Sequence, residues 1–215
     1  MQIEPIKAFF AALNQRLDSA RPAVQMWVFT AAGTLLTSVF FFLTRPAVEA
    51  HENQRLLQSL KELMPGTAMN PPSLKEAVEI TPVKSGALPF QLFRLREGGS
   101  LQALFLKATA RDGYSGDIEF AMAVQPDGKI VGVRVLRHRE TPGLGDWIET
   151  ARSNWILAFD GKSLRDTPER LWHVRKDGGI FDQFTGATIT PRAVVNGVHE
   201  TLKTLKEQGE TQEGP

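Results

Sequence analysis

The chain has 215 residues, with 25 Lys+Arg against 24 Asp+Glu and no cysteine. This near-balance leaves no electrostatic footprint for nucleic acid. The absence of cysteine excludes disulfides, thiolate nucleophiles, Cys-ligated zinc and iron–sulfur ligation by this chain alone.

Residues 1–22 carry Ile6, Phe9, Phe10, Leu13 and Leu17 at helical spacing, which predicts a short amphipathic helix lying on a membrane surface. Residues 23–44 then run without a charge and include Trp27, Phe29 and the triplet Phe40-Phe41-Phe42. As a helix this stretch is about 33 Å long, enough for the hydrocarbon core of a bilayer. Arg21-Pro22 and Arg45-Pro46 bound it. A cleaved signal has a shorter apolar region and a small-residue cleavage site, so a retained transmembrane helix is expected. Lys7, Arg16 and Arg21 precede it and Arg45, Arg55 and Lys61 follow, a tie that leaves its orientation unset.

Leu56, Leu57, Leu60 and Leu63 continue a helical stripe as far as Pro65-Gly66, and Asn70-Pro-Pro is a break. Residues 45–87 therefore read as stalk and linker. From residue 88 the period changes to two, and strands are expected at 90–95, 103–109, 118–124 and 130–136. Gln125-Pro-Asp-Gly-Lys129 joins the last two as a hairpin. Residues 147–159 read as a helix or helix pair, 171–174 as a short strand, and Lys176-Asp-Gly-Gly179 as a turn. A last helix is expected from Pro191 to about Gln208, burying Val194, Val195, Val198, Leu202 and Leu205. Residues 209–215 form a polar tail. Strands followed by helices argue for an α+β domain over 88–208 with a mainly antiparallel sheet and packed helices.

Three segments could carry chemistry. In Asp182-Gln-Phe-Thr-Gly-Ala-Thr-Ile-Thr190 three threonines crowd a helix start, where free N–H groups favour an anion. Pro191 suits the first helical position, which makes Thr190 the expected N-cap and leaves Thr185 and Thr188 free. The small neighbours Gly186 and Ala187 make Thr188 the more approachable of the two, although a tight helix start with capping threonines would look much the same. In His138-Arg-Glu-Thr-Pro-Gly-Leu-Gly145, Gly143 and Gly145 are expected to open backbone N–H groups toward a flat ligand, with Leu144 packing on a ring face. An ordinary tight loop would also use these residues. In Gly113-Tyr-Ser-Gly116, Tyr114 is the only tyrosine of the chain and could stack on a ring or simply ornament a turn. His51, His138, His173 and His199 lack ligand spacing and read as structural or surface residues.

Thr185-Gly-Ala-Thr188, with Asp182 before it and Thr190 after, resembles the flavinylation motif of the FMN-binding domain family. The other two loops recur in that family in the same order. Over nearly the whole chain the layout resembles, within that family, the G subunits of Rnf electron-transport complexes. The resemblance implies one FMN, joined by a phosphoester bond to Thr188 by a separate flavin transferase that uses FAD and magnesium. It implies flavin contacts from Thr185, Gly186, Ala187, Tyr114, Ser115, Glu140, Thr141, Gly143 and Leu144.

The resemblance also implies a short cytoplasmic N-terminus and a periplasmic domain on the bacterial inner membrane. The activity it implies is a relay of electrons inside an ion-translocating ferredoxin:NAD oxidoreductase, without independent turnover. The implied partners within the Rnf complex are the A, D and E membrane subunits, the iron–sulfur B subunit and the C subunit that holds the NAD site. Two other readings stay open at this point. One is the C subunit of the sodium-translocating NADH:quinone reductase; the other is a membrane-tethered binding or scaffold module without cofactor.

Overall fold

A computed structural model describes residues 4–65, 77–81, 89–97 and 100–211, with the side chains of 4–21, 49 and 97 outside the description. The expected stripe of Ile6 to Leu17, the break at Asn70-Pro-Pro and the end of the polar tail fall outside the described parts. The chain divides into two compact units, residues 1–53 and 54–215.

Helix α1, Glu4–Leu63, contains both Pro22 and Pro46. These prolines, expected as bounds of the apolar run, lie inside the helix instead. A proline removes one helical hydrogen bond, which bends a helix more readily than it ends one when the flanking residues favour helix. In the first unit the apolar side chains face outward: Trp27 is 76% and Phe29 78% exposed. The helix holds an 18-residue window of mean hydropathy 1.8 with none of it buried, which meets the length and composition of a membrane span.

The second unit is built on a five-stranded antiparallel meander in the order β1-β2-β3-β4-β5. The strands are β1 (Val78–Ile80), β2 (Phe90–Glu97), β3 (Ser100–Ala110), β4 (Ile118–Val124) and β5 (Ile130–Arg137). Four follow the predicted period of two. β1 lies ahead of residue 88 and pairs Val78 with Leu92 and Ile80 with Phe90. The expected hairpin joins β4 to β5: Gly128 takes a positive φ of 86°, and Lys129 N–H donates to Asp127 Oδ1 at 3.0 Å.

Both faces of the sheet are covered, so the central strands are buried on both sides. On one face lie Leu92, Leu104, Leu106, Phe120 and Met122, beneath Val194, Val195, Val198, Leu202 and Leu205 of helix α2 (Ile189–Glu207). On the other, Phe93, Phe105 and Ala121 pack against Leu56, Leu60 and Leu63 at the end of α1. The predicted leucine stripe is thus a second roof for the sheet. Arg134 pairs with Glu62 at 3.3 Å along its edge. A Cβ on Gly197 would stand 2.5 Å from Ala110 Cβ, so glycine there lets α2 lie close on β3.

Residues 147–159 do not form an α-helix. They hold two 3-10 turns, Asp146–Ile148 and Trp155–Phe159. The expected strand at 171–174 is a 3-10 turn, Glu169–Leu171, followed by an isolated bridge from Val174 to Phe181. Large aromatic side chains decide this region. Phe159 stacks on Phe181 with centroids 4.6 Å apart, and Trp172 is fully buried between Phe181 and His199. Filling that space fixes the backbone more strongly than any regular hydrogen-bond ladder. His199 stacks on Trp172 at 5.2 Å, and burial pushes its pKa down, as expected of a structural imidazole.

Candidate functional site

Three loops that are distant in sequence meet at the start of α2. The first follows β3, where Tyr114 is 69% exposed. A Cβ on Gly113 would lie 2.2 Å from the carbonyl oxygen of Gly116, so the loop closes this tightly only with glycine there.

The second loop runs from Glu140 to Gly145. Leu144 and Gly145 donate their N–H groups to Thr141 O at 3.1 and 3.0 Å. Gly143, at φ 78°, donates its N–H to Asp146 Oδ1 at 2.8 Å, and its carbonyl accepts Trp147 Nε1–H at 3.2 Å. The expectation that Gly143 and Gly145 open N–H groups toward a ligand is therefore corrected. Both groups are spent inside the loop, that of Gly143 on buried Asp146 and that of Gly145 on Thr141 O, while the Trp147 indole N–H takes up the Gly143 carbonyl. Sequence reasoning missed Asp146 and Trp147, although an Asp three positions after a loop glycine is a recognisable turn signal.

The third loop leads into α2. Phe184 sits between Trp155 and Trp147, with centroids 5.4 and 6.3 Å away. Trp155 Nε1–H donates to Asp182 O at 2.7 Å. Ala187 N–H then returns to Phe184 O at 3.1 Å, closing a turn in which Gly186 takes φ 80°. A positive φ at that position is what glycine supplies. Arg175 pairs with Asp182 and Arg192 with Asp177, so both cations beside this segment are already matched.

The three threonines separate cleanly. Thr185 is exposed on the turn. Thr188 occupies the N-cap position of α2, but its side chain makes no capping hydrogen bond. Thr190 is helical and 1% exposed, and its hydroxyl donates to Glu140 Oε2. This overturns the expectation that Thr190 caps the helix. Pro191 stands third in the helix, still within the first turn where its missing N–H costs nothing. A carboxylate fifty positions away takes the hydroxyl that local capping logic assigns to the backbone.

Between the loops lies a cavity of about 210 Å³, lined by Tyr114, Glu140, Thr141, Leu144, Gly145, Gly186, Ala187, Thr188, Ile189 and Thr190. Of the residues named from the sequence, Ser115, Gly143 and Thr185 stand outside this lining. A larger cavity of about 290 Å³ lies between β3 and α2. Its buried Thr201 and Thr204 bond their own helix carbonyls, and only Arg111 and Asp112 of the first loop reach it, so the smaller cavity, where all three loops meet, is the better site.

The residues fit a phosphate-bearing flavin. The first N–H groups of α2 lack helical acceptors and sit at the positive end of a 19-residue helix, suited to a phosphate. Small Gly186 and Ala187 admit a planar group beside Thr188, and Leu144 and Tyr114 offer apolar faces. Among the described residues no group of His, Asp or Glu could hold a metal ion.

Comparison with known proteins agrees with this geometry. Residues 113–203 match the FMN-binding domain family, a span that begins at the first loop and contains all three. The crystal structure of the C subunit of Na(+)-translocating NADH-quinone reductase from Parabacteroides distasonis shares the fold, with a TM-score of 0.50 and 18% identity, covering 75% of this chain and 94% of that one. The G subunit of the ion-translocating oxidoreductase complex of Pseudomonas aeruginosa is 40% identical over 190 residues, covering 87% of this chain and 89% of its own. That of Pectobacterium atrosepticum is 41% identical over 194 residues, covering 87% and 92%. With sequence, fold and the three converging loops in agreement, the chain belongs to the family of G subunits of ion-translocating oxidoreductase complexes.

Proposed function

We propose that the chain is a single-span membrane protein that carries one FMN, ester-linked to Thr188, and relays electrons within an Rnf-type complex. The observation that carries this reading is the state of the Thr188 hydroxyl. It stands at a helix start, caps nothing and lines the cavity where the three loops meet. Thr185 stands outside that cavity, and Thr190, although it lines the cavity, has its hydroxyl bonded to Glu140.

Bound FMN supplies one- and two-electron chemistry. The chain's own residues anchor it, orient it and control access to it. The first turn of α2 would hold the phosphate, Gly186 and Ala187 would leave room for the ring, and Tyr114 and Leu144 would offer it apolar faces. The cavity is smaller than the 300–1,000 Å³ or so that encloses a small ligand, and Tyr114 and Leu144 are 69% and 46% exposed. A group held there keeps an open edge, as electron exchange with a partner requires, and a covalent bond prevents its loss from so shallow a seat.

By family membership we infer the remaining assignments. Residues from about 45 onward are periplasmic, beyond a span of the inner membrane at 23–44. The complex exchanges electrons between ferredoxin and NAD, coupled to ion movement. Its other members are the A, D and E membrane subunits, the iron–sulfur B subunit and the C subunit with the NAD site, and a flavin transferase serves maturation. The identity of about 40% to the G subunits supports this over the quinone-reductase protein, whose likeness extends to the fold alone.

The test is Thr188→Ala in cells that supply a flavin transferase. The polypeptide is expected to accumulate in membranes, while flavin fluorescence of its band in a denaturing gel is lost. A band that still fluoresces rules out Thr188 as the acceptor. An unmodified mass for the wild-type 185–190 segment would support the cofactor-free module instead.

A further inference from the structure

Glu140 is a buried carboxylate at the centre of the site, 4% exposed. Oε1 accepts Ser115 N–H at 2.9 Å and Oε2 accepts the Thr190 hydroxyl, so each oxygen holds a different loop. Its backbone N–H donates to His138 Nδ1 at 3.0 Å, and His138 Nε2 lies 2.7 Å from Glu149 Oε1. Two glycines wrap the carboxylate. A Cβ on Gly113 would lie 3.0 Å from Oε1, and one on Gly145 would lie 2.7 Å from Glu140 Cβ and 2.9 Å from Thr190 Oγ1. Such a group is tied to two loops at once while it lines the cavity between them.

We propose that Glu140 is a positioning residue that selects the acceptor threonine. It ties up the Thr190 hydroxyl and fixes the Tyr114–Ser115 loop against the start of α2, so that of the two threonines lining the cavity Thr188 is the one presented. The proposal rests on the reading of Thr188 as the flavin acceptor. In that transfer the threonine Oγ1–phosphorus bond forms as the pyrophosphate bond of FAD breaks. AMP leaves, and the hydroxyl proton passes to a base or water at the transferase. The attacking oxygen must therefore be reachable in line by a phosphorus atom on another protein.

A carboxylate accepting a hydroxyl proton would activate that hydroxyl if it were exposed. Thr190 is 1% exposed and packed against Gly145, so the same bond removes it from competition instead. A carboxylate is also an acceptor on both oxygens, which is what one N–H and one O–H donor require. A glutamine in its place keeps one acceptor for Ser115 and reverses the bond to Thr190, whose hydroxyl can turn to accept. An alanine leaves both partners unpaired.

The experiment uses the full chain in detergent with FAD, magnesium and a flavin transferase, following flavin incorporation in time and mapping the modified residue by peptide mass. Glu140→Ala is expected to slow labelling of Thr188 at least tenfold and to divert part of the flavin to Thr190, while Glu140→Gln recovers most of the lost rate. Thermal melts check that the variants fold. If Glu140→Ala does not melt cooperatively, Gly145→Ala replaces it, because its Cβ forces the carboxylate away from Thr190; the same slowing is expected. Wild-type labelling kinetics confined to Thr188 in the folded variant overturn the proposal and leave the Thr188 reading intact. A wild-type chain with no flavin on this segment overturns both.

Discussion

The β4–β5 hairpin and the loop cluster at the start of α2 are both built from glycine turns, yet they satisfy their polar groups in opposite ways. In the hairpin turn the bonds are local: Gly128 N–H returns to Gln125 O, and Asp127 holds Lys129 N–H two residues on. Only past the turn, at Ile130, does the backbone bond a distant segment, with Lys162 O and Gly161 N–H. In the cluster the bonds cross the sequence. Glu140 joins residues 25 and 50 positions away, and Trp155 reaches 27 positions to Asp182 O. Local turns can be exchanged for one another. Long-range cross-links fix loops that no local preference would place together, and that is how one hydroxyl comes to be left over.

This difference can be broken at its strongest point by Gly113→Ala. The new Cβ meets the Gly116 carbonyl at 2.2 Å, backbone against backbone. Overpacking of this kind is expected to cost about 2–3 kcal/mol and to dislodge Ser115 from Glu140, read as a lowered melting temperature together with slower flavin attachment. Trp155→Phe is a milder probe. It keeps the ring contacts with Phe159 and Phe184 but removes the 2.7 Å bond to Asp182 O. A loss of about 1–2 kcal/mol is expected in chemical denaturation, again with slower attachment at Thr188. Asp127→Ala marks the other side of the comparison. It removes one exposed local bond, costs about 0.5 kcal/mol, and leaves attachment at the wild-type rate. If it slowed attachment as Trp155→Phe does, the division between local and cross-linked turns would not hold.

Much of the framework is legible in the sequence because it rests on local signals. The period of two in 118–124 and 130–136, the Pro-Asp-Gly turn and the valine stripe of α2 each dictate their own element. The same local logic errs wherever a distant partner decides. Pro191 points to Thr190 as the helix cap, but the competing acceptor is Glu140. Residues 147–159 carry enough apolar residues for a helix, but Trp155 and Phe159 are drawn into an aromatic stack with Phe181 and the backbone winds in 3-10 turns instead. β1, only three residues long, owes its form to pairing with β2, which no short window of sequence contains. At the site, the loops and Thr188 can be named from motif residues. Asp146 and Trp147, which occupy the N–H and the carbonyl of Gly143, cannot, because their role is to fill groups that the motif alone leaves open.

Pro191 also sets a valence at the helix end. Helix α2 begins at Ile189, so a proline in its third position deletes one N–H from the donors of the first turn. A phosphate monoester has three terminal oxygens and up to two charges; a diester has two terminal oxygens and one charge. A helix end short of one donor would suit the singly charged diester of the proposed linkage better than a doubly charged monoester.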